Sequence, residues 1–210
     1  TGGRFKPESV AVLTGIRSYV GGDQAVVYDF TTDRSRAGPA AFLSGFCGTL
    51  QVDGYAGYNL AQKTGGLNRA ACWAHVRRKF EQSLQTEKAK AAAVLLLIQK
   101  LYGVERRMRQ HSPTLGVEQI ARIRKRESLP VIKELKEYLL ECRQAVLPKS
   151  PLGKAIEYAF GQWEWLVTYI HNGLVDIDNN SCERSMRKVA IGRKNYMFVG
   201  SEAGGQTAAV

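Results

Sequence analysis

The chain has 210 residues, of which 44% are hydrophobic and 23% charged, so it can bury a real core and carries the charge density of an ordinary globular domain. Thirty Lys and Arg face nineteen Asp and Glu, a formal charge of +11, which favours a polyanionic partner such as DNA or RNA without proving one. No run reaches the roughly 18 apolar residues needed to cross a bilayer; the longest is Ala91 to Ile98, and Thr1-Gly2-Gly3-Arg4 opens no signal-peptide stretch.

Four cysteines, Cys47, Cys72, Cys142 and Cys182, are widely spaced and form no CxxC pair, so they read as reduced thiols in a cytosolic setting. The first residue is not Met, and Gly205 to Val210 reads as the opening of another helix, which suggests cuts through a longer protein.

In chain order, Ser9 to Leu13 reads as a weak strand and Ala25 to Phe30, β-branched and aromatic, as a stronger one. Pro39 opens a short helix through Phe46. Thr49 to Val52 is a strand ending at Asp53-Gly54, and Tyr55 to Gln62 suggests a short helix. Arg69 to Trp73 is a further strand candidate running into a basic helix from His75. The middle is helical. Ser83 to Gln110 repeats apolar residues at helical spacing, and Val117 to Glu127 and Val131 to Leu147 follow. Leu152 to Ile170 forms a helix with an apolar face that includes Trp163, and another helix starts near Asn180. Tyr196 to Val199 closes the series as a short strand. Strands first and flanking helices later imply an α/β or α+β core, into which the helical block from about residue 83 to 147 is inserted.

Two acids stand out. Asp53 sits at the C-terminal end of a strand, where ligands gather in open sheets, although Asp-Gly is also an ordinary turn. Glu183 opens a helix after Asp176-Ile177-Asp178-Asn179-Asn180. It also fits the capping-box spacing from Asn180 and the macrodipole preference for acid at a helix start. Hard divalent cations take carboxylate and phosphate oxygens, and a pair of them stabilises both the attacking and leaving oxygens of phosphoryl transfer. Basic residues surround the second acid. Arg184, Arg187 and Lys188 share a helix face, and Arg193 and Lys194 follow, with no acid until Glu202. A second group is Arg77, Arg78 and Lys79, beside His75. Each group could hold phosphates or simply be a solvated face. The same two readings apply to the stretch Arg122 to Arg126. Cys72 and His75 have half of a zinc spacing and no second half, so packing is the preferred reading. Trp163 and Trp165 read as core rather than as base-stacking platforms.

Four ordered blocks carry a resemblance. Leu50-Gln51-Val52-Asp53-Gly54-Tyr55-Ala56-Gly57-Tyr58-Asn59 resembles the second-aspartate segment of the insertion-sequence-66 family of bacterial transposases. Cys72 to Phe80 resembles the segment that follows it, and Asp176 to Arg184 resembles the family's glutamate motif. Gly192 to Tyr196, Phe198 and Gly200 to Gly205 resemble its sequel. The resemblance spans roughly Val26 to Val210. It implies a ribonuclease-H-like core, a mixed sheet flanked by helices, with an all-helical insertion between the second Asp and the Glu. The division would be 1–82 for the N-terminal part of the core, 83–148 for the insertion and 149–210 for the part carrying the Glu.

The resemblance further implies DNA transposition by two-metal phosphoryl transfer, with Asp53 and Glu183 as catalytic acids and ligands of Mg²⁺ or Mn²⁺. Nucleic acid would be held by Arg77, Arg78, Lys79, Arg184, Arg187, Lys188, Arg193 and Lys194. The partners implied are DNA, both element ends and target, a second copy of the chain in a DNA complex, and helper proteins of the same element. There would be no membrane, and the setting would be the bacterial cytoplasm, on the nucleoid when bound to DNA. One departure stands out. The family's first aspartate belongs to an Asp-Glu-Thr segment ahead of a strand loosely matched by Arg17 to Val20. The chain has no Asp-Glu-Thr. Glu8 is the only acid before Tyr19, and Asp23, Asp29 and Asp33 lie on the wrong side. The chain would then be inactive alone, as a transposase core lacking a part or as a remnant that only binds DNA. A plain basic helical interaction domain is the remaining alternative.

Overall fold

The computed structural model describes residues 12–20, 23–31, 37–53, 67–110, 115–181 and 183–184. Two compact units are present. The first holds β1 (Val12–Val20), β2 (Asp23–Thr31), α1 (Ala37–Phe42) and the chain from Asn180 onward. The second comprises Thr49–Gly54 and Asn68–Asn179.

In the first unit β1 and β2 form an antiparallel hairpin, in register from Val12 opposite Thr31 to Val20 opposite Asp23. The strand expected at Ser9 to Leu13 is therefore Val12–Val20 over the described residues. The helix expected from Pro39 to Phe46 ends at Phe42. Ser44 and Phe46 donate back to Ala41 and Leu43, and Gly45 takes a positive φ of 76°, a turn that glycine adopts without a Cβ clash.

The second unit begins at the strand end that carries Asp53. β3 (Gly48–Gln51) pairs with β4 (Leu67–Ala70) in a small parallel sheet, prolonged by the Val52 amide donating to the Ala70 carbonyl at 3.0 Å. α2 (Trp73–Ser83) follows directly, two residues before the expected start at His75. Its apolar positions Trp73, Val76 and Phe80 recur at helical spacing and are buried. α3 (Lys88–Gln110) runs for 23 residues. The helix expected over Ser83 to Gln110 starts at Lys88 because residues 84–87 turn back on α2, with the Thr86 and Glu87 amides donating to the Ser83 carbonyl.

The largest departure lies between residues 117 and 145. Two separate helices were expected. Instead α4 (Val117–Ile123), a π-helical turn (Arg124–Ser128) and α5 (Leu129–Ala145) run on from one another. Pro130 has no N–H and crowds the preceding turn. Widening that turn so that the Leu129 amide donates to the Arg124 carbonyl absorbs the mismatch without ending the helix. It also turns Arg124 and Ser128 inward, where both are buried. Arg124 thus leaves the solvated basic stretch predicted for residues 122–126; Lys125 and Arg122 remain outside.

The helix expected from Leu152 to Ile170 is two. α6 (Pro151–Gly161) starts with Ser150 Oγ accepting from the Gly153 amide and Pro151 in the first turn, and α7 (Trp163–His171) follows a break at Gln162. Glycine is a poor helix former, and Gly161 marks the break. The new helix offers its Leu166 carbonyl to the Trp73 indole at 3.0 Å. α2, α3, α5, α6 and α7 share one core, which includes Trp73, Phe80, Ile98, Leu101, Leu135, Leu139, Ile156, Leu166 and Ile177. Trp163 and Trp165 pack at its edge, as expected. The helices of the 83–148 block are thus built into the same core as Ala70 at the end of β4 and Ala71 and Trp73 after it. Expected elements at Tyr55 to Gln62 and Tyr196 to Val199 lie outside the described residues.

Cys47, Cys72 and Cys142 are free thiols. Burial, and to a lesser degree Asp178, push the Cys72 thiol up to about 11, against backbone N–H groups of Asn179, His75 and Ala74 that favour the thiolate. Two outcomes follow. In the folded chain at pH 8, an alkylating reagent should modify exposed Cys47 quickly. Cys72 should react only after denaturation, because a thiol of that pKa is about 0.1% thiolate there; mass spectrometry of the labelled peptides reads this out. Leu135→Ala, at a fully buried position, should lower unfolding free energy by about 2–5 kcal/mol in a urea titration.

Candidate functional site

β3 exists because Leu50 and Val52 bury their side chains while Gln51 and Asp53 face the other way, the alternation a strand imposes. Asp53 is half-buried at the strand's C-terminal end. Beside it stands a residue that sequence reasoning passed over, Arg69 on β4. Its Nη2 donates to the Asp53 carbonyl at 3.3 Å, and its guanidinium lies 4.0 Å from the centre of the Trp165 ring. Burial pushes the Arg69 pKa down, and the Asp53 carboxylate, with Tyr158, pulls it back up. A guanidinium keeps its proton in any protein, so the strand end presents a fixed cation next to Asp53. The available signal was a buried-period arginine in Leu67-Asn68-Arg69-Ala70, a charge on an apolar strand that has to find partners.

The glutamate motif begins on the same strand end. Gln51 Nε2 donates to the Asp176 carbonyl at 2.6 Å. The Trp73 amide donates to the Ile177 carbonyl at 3.1 Å, and the Asn179 amide to the Cys72 sulfur at 3.5 Å. Ile177 is fully buried. Asp178, also buried, accepts from the Tyr102 hydroxyl of α3 at 2.9 Å. Burial, and then Asp178, raise the Tyr102 pKa, so the phenol stays a donor. Ile177 and Asp178 are thus both turned into the interior, while Asp176 is bound to β3 through its backbone. Cys72 and His75 serve this packing, and among the described residues no group of three or more His, Cys, Asp or Glu could hold a metal ion.

Within the first unit a helix starts at Asn180, as expected. Glu183 and Arg184 are exposed on it, and Arg184 Nη2 donates to Ser181 Oγ at 2.9 Å. Asp53 belongs to the second unit and Glu183 to the first. Of the basic residues, Arg77, Arg78 and Lys79 all lie on the exposed side of α2. Arg77 pairs with Glu81 at 2.8 Å, an exposed i,i+4 contact of small energy. The Lys79 ammonium lies 5.5 Å from the centre of the Tyr158 ring. Arg187, Lys188, Arg193 and Lys194 lie outside the described residues, as does Cys182. Among the described residues no helix is long and apolar enough to cross a membrane.

Comparison with known proteins gives these features a context. The sequence profile described as "Transposase IS66 family" matches residues 11–207. Among curated proteins, the chain is 38% identical over 193 residues to the uncharacterized protein y4jD of Sinorhizobium fredii (strain NBRC 101917 / NGR234), which covers 89% of this chain and 37% of that protein. It is 36% identical over 190 residues to the uncharacterized protein y4qI of the same strain, covering 87% and 34%. The uncharacterized protein y4hP of that strain is 30% identical over 203 residues, covering 89% and 36%. The chain thus spans little more than a third of the length of these relatives. No solved structure matches it significantly. The four motif blocks read in the sequence all fall within the matched stretch, and the chain belongs to the IS66 family of transposases.

Proposed function

We propose that the chain is the catalytic part of a DNA transposase of ribonuclease-H-like type, which cuts at the ends of a mobile element and joins the freed 3′-hydroxyls to target DNA. The observation that carries this reading is the hydrogen bond from Gln51, two residues before Asp53, to the backbone of Asp176 in the glutamate motif. It draws the stretch that leads to Glu183 onto the strand end of the other acid. The order of elements agrees: an antiparallel hairpin, a helix, β3 ending at Asp53, its neighbour β4, then helices. On this reading β1 and β2 are the second and third strands of the core. Residues 1–82 and 149–210 make up the core, and 83–148 is its helical insertion.

Asp53 and Glu183 would hold Mg²⁺ or Mn²⁺; their hard oxygen donors fit these ions, and Asp53 is accessible at its strand end. A bound pair of such ions stabilises charge on the attacking and leaving oxygens of an in-line displacement. The chain's own part is positioning. Arg77, Arg78 and Lys79 on the exposed side of α2 would contact phosphates, as would Arg184, Arg187, Lys188, Arg193 and Lys194. The Arg69 guanidinium sets a fixed positive charge beside Asp53 and limits how much negative charge that strand end accumulates. Partners are DNA ends and target, a second copy of the chain in the DNA complex, and helper proteins of the element. The place of action is the bacterial nucleoid.

A second reading is an inactive remnant that only binds DNA. Mn²⁺ titration followed by electron paramagnetic resonance separates the two. The transposase reading expects a bound ion whose affinity falls at least about tenfold in both Asp53→Asn and Glu183→Gln, since each removes a ligand. Binding indifferent to either change would remove the metal site. On labelled duplex ends these residues alone should show no joining, and joining abolished by Asp53→Asn would contradict that. DNA affinity should fall linearly in log–log against salt, and the Arg77→Ala, Arg78→Ala double variant should reduce the slope by about 1–2. A salt-independent affinity would overturn the phosphate contacts.

A further inference from the structure

Arg124 carries a charge that the proposed chemistry does not use. Arg124 is buried in the π-helical turn, with its side chain 3% exposed. Its Nε and Nη2 donate to the two carboxylate oxygens of buried Glu105 on α3, at 2.9 and 2.8 Å. That bidentate fork neutralises the charge. Nη1 then faces three backbone carbonyls, those of Tyr169 at 2.9 Å, Asn172 at 3.0 Å and Val175 at 2.8 Å. The guanidinium carbon also lies 5.1 Å from the centre of the Tyr169 ring.

Those three carbonyls are not scattered. Tyr169 is in the last turn of α7, where carbonyls lose their intrahelical partners and the helix dipole favours a cation. Asn172 and Val175 belong to the loop that reverses the chain after α7 and delivers it, one residue later, to Asp176. The loop is held in other ways too. Asn172 Oδ1 accepts from the Leu174 amide, and its Nδ2 lies 3.5 Å from Thr49 Oγ1 on β3. A Cβ at Gly173 would run into the Val117 carbonyl at the start of α4, so only glycine lets the loop lie that close.

We propose that Arg124, held by Glu105, is a positioning residue: it clamps the Tyr169–Val175 turn so that the glutamate motif enters the strand end in one register. A helix end inside the helical block thereby sets the geometry of a motif more than fifty residues further along the chain. The part of the proposal that concerns metal rests on the reading of Glu183 given above; the clamp itself does not. Lysine would not replace it, because a single ammonium cannot serve a carboxylate fork and three carbonyls together.

The test uses the 210-residue chain and two variants. Arg124→Met with Glu105→Met removes both charges at similar volume, which avoids stranding one buried ion. Arg124→Lys keeps the charge and loses the fork. Amide hydrogen exchange is followed by mass spectrometry for Asn172–Asn179 and, as a reference, for the core residues of α3 and α5. The clamp predicts that in both variants the Asn172–Asn179 amides exchange at least about tenfold faster while the α3 and α5 amides keep their protection, as local opening requires. It also predicts that Mn²⁺ affinity falls with the loop's protection. Loop exchange that is unchanged, or that rises only in step with α3 and α5, would overturn the clamp and leave the pair an ordinary core contact. If wild-type Mn²⁺ binding ignores Asp53→Asn, the metal reading fails by itself, and the exchange result still decides the clamp.

Discussion

A single side-chain amide ties the strand that ends at Asp53 to the opening of the glutamate motif. Gln51 reaches across from β3 to the Asp176 carbonyl at 2.6 Å. Around that contact the backbone polar groups of residues 176–179 meet partners on β3 and α2, through Trp73 and Cys72. Buried backbone groups without partners are costly, by about 1–3 kcal/mol each, so the segment has few other ways to lie. Ile177 adds an apolar anchor that is fully buried. The strand end that carries Asp53 and residues 176–179 are thereby parts of one hydrogen-bonded arrangement rather than neighbours by chance.

The helical block supports that arrangement from behind. Tyr102 on α3 meets Asp178, Glu105 on α3 holds Arg124, and Arg124 meets the end of α7 and the loop beyond it. Tyr102, Glu105 and Arg124 all lie in the stretch that reads, by sequence, as inserted. A buried ion pair is weak evidence of stability, since apolar residues of the same volume often serve as well. Its value here is directional: a planar fork with fixed donors dictates where three carbonyls must sit. The π-helical turn is what points Arg124 inward, and Pro130 is the sequence feature that accompanies it.

Much of the frame was legible before the structure. Apolar periodicity located α3, α5 and the buried face of α6 and α7, the basic helix read from His75 is α2, and the strand ending at Asp53 was read to within a residue. The misses have physical causes. Two helices were fused in prediction across Gly161 and Gln162 because the apolar pattern continues through the break. Two were separated across Ser128 to Pro130 because a π-helical turn keeps the chain helical where proline ordinarily stops it. Arg124 looked like one member of a solvated basic run, since composition cannot tell which arginine of several turns inward. Arg69 was invisible for the same reason. Of the site, the two acids and the residues on the exposed side of α2 came from motif blocks and spacing. Their supporting partners Gln51, Tyr102, Glu105 and Arg69 act across 16 to 125 residues of sequence, a range that no local pattern spans.

The central claim is that Asp53 and Glu183 are ligands of one divalent ion. Fe²⁺ substituted for Mg²⁺, with ascorbate and peroxide, releases hydroxyl radicals that cut the backbone close to the bound ion. Shared ligation predicts two sets of cuts, one around residue 53 and one around residue 183, both suppressed by excess Mg²⁺ and both lost together in Asp53→Asn. Cuts confined to one of the two segments, or a variant that loses one set and keeps the other, would contradict it.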